Sequence, residues 1–87
     1  MAGVTMGRDD SEKFALAATK AMAELANGLA AIKGNCSGDE YDSLSKKTAS
    51  LVADIIMEIL NPIYDSFPEL EAAIDREVEI YLQKKSE

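Results

Sequence analysis

Polar positions along the middle of the chain recur with a helical period. Ser43, Lys47, Ser50, Asp54, Glu58, Asn61 and Asp65 follow one another at steps of four, three, four, four, three and four. This is the spacing of one helix face, not the alternation of a strand. At about 100° per residue these positions fill an arc of roughly 80°. Leu44, Thr48, Leu51, Val52, Ile55, Ile56, Ile59 and Leu60 spread over roughly 180° of the remaining circumference. A surface helix with a single neighbour buries an apolar stripe of about 100°. The helix predicted over about 38–60 therefore carries more apolar surface than one neighbour covers.

Two further helices flank it. Residues 1–8 lack a period and read as a loose N-terminal tail, after which Asp9, Asp10 and Ser11 offer N-caps for a first helix over about 10–33. Its core face is expected to be Phe14, Ala18, Ala21, Leu25, Leu29 and Ile32. Eight Ala between positions 15 and 31 make that helix thin and strongly helix-forming. Asn27-Gly28 is a turn signal in isolation, but the apolar period resumes in phase beyond it, so the helix is read as continuous, with Gly28 marking a close crossing or a bend. Lys33-Gly34 supplies the ending, and Ser37-x-x-Glu40 forms a capping box for the second helix. At Asn61-Pro62 the missing N–H and the clash with the Glu58 carbonyl predict a kink or a stop, with a short new turn opening at Asn61. A second box, Ser66-x-x-Glu69, opens a third helix over about 67–84 that buries Leu70, Ala73, Ile74, Val78, Tyr81 and Leu82. Residues 77–82 also have strand propensity, but a lone strand has no partner to pair with.

The whole is an all-α fold, a three-helix bundle over residues 9–87 made of a long Ala-rich helix, a central apolar helix and an acidic C-terminal helix. Chains of 87 residues bury only about 60 to 65% of their unfolded surface and rely on disulfides, metals or oligomerisation for stability. One Cys and no His disfavour the first two, which leaves assembly as a homodimer. The candidate self-association face is Leu51, Val52, Ile55, Ile56, Ile59 and Leu60, together with the Ala-rich neighbour. The net charge of −7 argues against nucleic acid as a partner and in favour of a basic protein. Glu69, Glu71, Asp75 and Glu79 form the candidate partner-facing acidic surface. No run of 18 apolar residues and no basic-then-apolar leader occurs, so neither a membrane partner nor export is expected, and the location is read as cytoplasmic.

Candidate chemistry is sparse. Asp54 and Glu58 lie one turn apart, as paired carboxylates do in di-metal helical sites, but they continue the solvated stripe, and no metal or other cofactor is expected. Cys36 sits in the loop before a helix N-terminus without a His to activate it, and Asn35-Cys36-Ser37 is a formal glycosylation sequon. No glycine-rich phosphate loop is present. Asp42-Ser43-Leu44 near the start of a helix resembles the Asp-Ser-Leu element of acyl and peptidyl carrier proteins, in which the Ser bears a phosphopantetheine arm. That resemblance would make Ser43 the attachment site. Glu40 stands where the family has Gly, and the family's long loop between the first two helices is missing. The expectation is a non-enzymatic, self-associating interaction module (an adaptor, inhibitor or regulatory subunit), with a carrier-like protein modified at Ser43 as the alternative.

Overall fold

A computed structural model describes residues 5–86, and the first four positions of the expected tail lie outside them. The described residues are all-helical and contain no strand. Helix α1 spans Arg8–Ile32, α2 spans Gly38–Ile55, a π-helical turn covers Ile56–Leu60, α3 spans Asn61–Ser66 and α4 spans Leu70–Ser86. Because α2, the π turn and α3 follow without a break, three rods result. At 1.5 Å per residue they are about 37, 43 and 25 Å long.

α1 begins earlier than its side-chain caps predicted. Gly7 occupies the N-cap without a side-chain hydrogen bond, and Asp9 and Asp10 lie in the first turn, where acids favour the positive end of the helix dipole. Ser11 turns inward and is fully buried. The helix passes through Asn27-Gly28 unbroken, and a Cβ built at Gly28 would meet nothing within 4 Å, so no close crossing occurs there. It ends where Gly34 adopts φ 93°, a conformation costly for any residue with a Cβ. Ser37 and Glu40 then complete the capping box: the Glu40 N–H donates to Ser37 Oγ at 3.1 Å and the Ser37 N–H to Glu40 Oε1 at 3.2 Å.

Pro62 does not stop the rod. Asn61 donates its N–H to the Ile56 carbonyl five residues back, so the turn ahead of Pro62 is widened and the ring is accommodated within a continuous helix. The rod ends at Phe67, whose φ of −136° and ψ of 74° are those of a residue pushed out of the helical region by the following proline. A short turn, with Leu70 N–H bonded to Phe67 O at 3.0 Å, leads into α4.

The core gathers Ala15 and Ala18 of α1, Leu60 of the π turn, Ile63 of α3, and Leu70, Ile74 and Val78 of α4. Half-buried Ala73, Tyr81 and Leu82 extend the α4 contribution, as its apolar period predicted. α1 differs from expectation. Its buried side is Ser11, Ala15 and Ala18, continued by half-buried Met22, a face turned about 50° from the predicted one. Of the six expected core positions only Ala18 is buried; Leu29 and Ile32 are half-buried, and Phe14, Ala21 and Leu25 are exposed.

The rods are splayed. Three helices packed side by side at axial spacings of 8–10 Å would be about 15 Å across in both short directions, whereas the Cα extents are 44 × 34 × 15 Å. The radius of gyration is 14.9 Å, against about 12 Å for a compact chain of this length.

Candidate interaction surface

α2 contains no buried residue, although Tyr41, Leu44, Thr48, Leu51, Val52 and Ile55 line an arc of about 100° of its circumference. Along the expected self-association face Leu51 is 55% exposed and Ile56 39% exposed. Val52, Ile55 and Ile59 are half-buried, with Ile55 and Ile59 packed against the core, and Leu60 lies inside it. The face thus divides: its C-terminal end belongs to the chain's own core, and its N-terminal end is open. Every position of the polar stripe from Ser43 to Asp65 is exposed.

α1 has an open stripe of its own. Phe14, Ala17, Ala21, Leu25 and Gly28 recur at steps of three, four, four and three, and all are exposed. The half-buried α1 positions that look toward α4, Glu12, Leu16, Lys20 and Glu24 at steps of four, wind about 40° per step from beside the buried Ser11–Ala15–Ala18 line round to the edge of the open stripe at Glu24. On α2 the half-buried line is Tyr41, Ser45, Thr48, Val52 and Ile55, and Leu44 and Leu51 stand about 70° to one side of it. The short 33–37 connection makes α1 and α2 antiparallel neighbours. For two right-handed helices so arranged, the α1 stripe and the Leu44–Leu51 pair fall on the same side of the hairpin, with the C-terminal end of α4 reaching its edge at Glu24. Phe14 and Leu25, expected in the core, are therefore members of this surface. The competing face, Ser11-Ala15-Ala18-Met22 at steps of four, three and four, was readable in the sequence as the alternative.

α4 is held to α1 by polar clasps at both ends. At one end Arg8 Nε donates to Glu69 Oε2 at 2.9 Å, and Arg8 also reaches Glu12. At the other, the Tyr81 hydroxyl donates to Glu24 Oε2 at 2.7 Å, Lys85 pairs with the same carboxylate, and Lys20 Nζ lies 4.7 Å from the Tyr81 ring centroid. The hydrogen bonds from Lys85 and then Tyr81 hold the Glu24 carboxyl below its ordinary value, and the same bonds raise the pKa values of Lys85 and Tyr81. Glu69 is lowered by its bond from Arg8. Burial raises the Tyr64 hydroxyl, opposed by hydrogen bonding with Thr19, while Asp75 and Glu71 add to the rise.

Of the expected acidic surface, Glu69 is engaged with Arg8, and Glu71, Asp75 and Glu79 are exposed at successive turns of α4. A shallow groove of about 390 Å³ lies along the π turn, lined by Met57, Glu58, Asn61, Pro62 and Asp65. All five belong to one rod, so the groove is a dent in a helix surface. Ser43 is exposed in the second turn of α2. Cys36 is half-buried, and its thiol donates to the Ile32 carbonyl at 3.6 Å. Among the described residues no group of three or more His, Cys, Asp or Glu side chains is placed to hold a metal ion, and no helix is long and apolar enough to cross a membrane. Comparison of the chain with protein families, curated proteins and solved structures finds no match.

Proposed function

We propose that the protein is a non-enzymatic interaction module that self-associates through the open face of the α1–α2 hairpin and offers the acids of α4 to a basic protein partner. The observation that carries this reading is α2, which has no buried residue and leaves Leu44 and Leu51 exposed beside the exposed Phe14 and Leu25 of α1. Monomeric proteins seldom leave contiguous apolar surface of that kind in water. A small core of Ala15, Ala18, Leu60, Ile63, Leu70, Ile74 and Val78 gives the chain reason to bury more. Glu71, Asp75 and Glu79 lie exposed on α4, outside the open face of the hairpin, so assembly leaves them accessible.

Sedimentation of tag-free protein at two concentrations tests the proposal. A mass of twice the 9.4 kDa chain is expected, with dissociation on dilution. A monomer at both concentrations refutes self-association.

A further inference from the structure

Resting on that self-association reading, we infer that the second copy docks antiparallel along α1, about a two-fold axis passing between Ala17 and Ala21, so that Phe14 of each copy packs against Leu25 of the other. A two-fold contact must be self-complementary: if one residue meets a second across the interface, the second must meet the first. The exposed α1 stripe satisfies this in one orientation. Phe14, Ala17, Ala21 and Leu25 read large, small, small, large. The midpoint of the outer pair coincides with that of the inner pair to within half a residue. Antiparallel packing about that midpoint sets Phe14 against Leu25 and Ala17 against Ala21, and the small central residues let the two backbones approach to the close end of the 8–10 Å range.

The available surface matches what such an interface requires. Phe14 is 49% exposed, Leu25 and Leu44 42% each, and Leu51 55%. At about 200 Å² for a fully exposed large side chain these four present about 380 Å² per copy. With Ala17, Ala21, Gly28 and the stems of rim side chains the area reaches about 600 Å², or about 1,200 Å² for two copies, where specific interfaces begin. Asp10, in line with the α1 stripe, would lie about 27 Å from its counterpart in the antiparallel arrangement, and Glu24 at the stripe's edge is paired with Lys85, so like charges are kept apart despite the net charge of −7. That same net charge opposes docking on an anionic membrane.

The geometry is tested by cross-linking. In the antiparallel arrangement Asp10 lies opposite Gly28 of the second copy, both exposed at the edge of the stripe. A Cβ at Gly28 has open space. Two variants, Asp10→Cys and Gly28→Cys, are made in a Cys36→Ser background, so that the introduced thiols alone react; both keep Phe14, Leu25 and Leu51. Equilibrated together and oxidised with diamide, the pair should form a disulfide-linked dimer at least tenfold more abundantly than either variant alone. Identical positions would be about 27 Å apart, beyond disulfide reach. Linkage of Gly28→Cys with itself indicates parallel helices and overturns the inference. A dimer by sedimentation without mixed linkage also overturns it, while leaving self-association standing. A monomeric mass removes both, and partition of the monomer onto phosphatidylcholine vesicles would identify a lipid surface as the occupant instead.

Discussion

Replacing Leu51 by Asp separates the open face from the core in a single measurement. Leu51 is 55% exposed within the chain, so about 110 Å² of it remains to be covered by assembly. At about 25 cal/mol per Å² that is about 2.7 kcal/mol for each copy and about 5 kcal/mol for a dimer. A carboxylate forced into the apolar contact adds several kcal/mol more. With 1.4 kcal/mol for each tenfold change, Leu51→Asp should weaken dimerisation by at least about 3,000-fold, which abolishes it at micromolar concentration. The isolated chain should be nearly indifferent, because the new charge points into water. Sedimentation reports the first effect. Urea unfolding, with wild type and variant both diluted to monomers, reports the second, and there the two unfolding free energies should agree to within about 0.5 kcal/mol. A variant that dimerises as wild type does, or a monomer destabilised by several kcal/mol, refutes the placement of Leu51 on an open surface.

Ser11 is fully buried and its hydroxyl has no hydrogen-bond partner. Ser11→Ala removes an unsatisfied group costing about 1–3 kcal/mol and improves helix propensity, so the melting temperature should rise by about 4–8 °C for each kcal/mol, and a fall would mean the hydroxyl is satisfied. Ile59 packs against the core, so Ile59→Asp should unfold the chain, whereas Glu58→Ala on the solvated stripe should leave the circular dichroism melt unchanged. Glu24 is depressed by its bonds from Lys85 and Tyr81, so its contribution is present above its ordinary value near 4.5 and is lost as the pH falls through the lower folded-state value. Protection of α4 amides against exchange should therefore decline on that acid limb in wild type and lose this dependence in Glu24→Gln. Incubation with a phosphopantetheinyl transferase should leave the intact mass unchanged, and a gain at Ser43 would favour the carrier-like reading.

The parts legible in the sequence were those fixed by local chemistry. The Ser37–Glu40 box, the Gly34 ending, the α4 apolar period from Leu70 to Leu82 and the exposed stripe from Ser43 to Asp65 each depend on residues within one or two turns of each other. Two features set by tertiary contacts were misjudged. The face of α1 was placed about 50° away because Ala on every side of a helix leaves the apolar direction poorly defined, and the docking of α4 decides it. At Pro62 the residues predict a kink or a stop with a new turn from Asn61; α3 does open at Asn61, but the π turn at Ile56–Leu60 relieves the clash and leaves the rod continuous. That extra residue also changes the phase. Positions beyond the turn slip by about 100° relative to those before it, which brings Leu60 and Ile63 into the core while Leu51 stays outside.

The lengths of the rods explain why an open face is unavoidable in this chain. α4 is clasped to α1 at Glu69–Arg8 and again at Lys85–Glu24, so it runs beside α1 from the level of Arg8 to that of Glu24 and ends. Beyond that level the remaining turns of α1 and the first half of α2 have only each other. A pair of helices in contact along one line leaves Leu44 and Leu51, which stand about 70° to one side of that line, uncovered. A single Cys excludes an intramolecular disulfide, and among the described residues no side-chain group is placed to hold a metal ion. Under the proposed self-association the cover is a second copy, which is always present at the same concentration as the surface it covers.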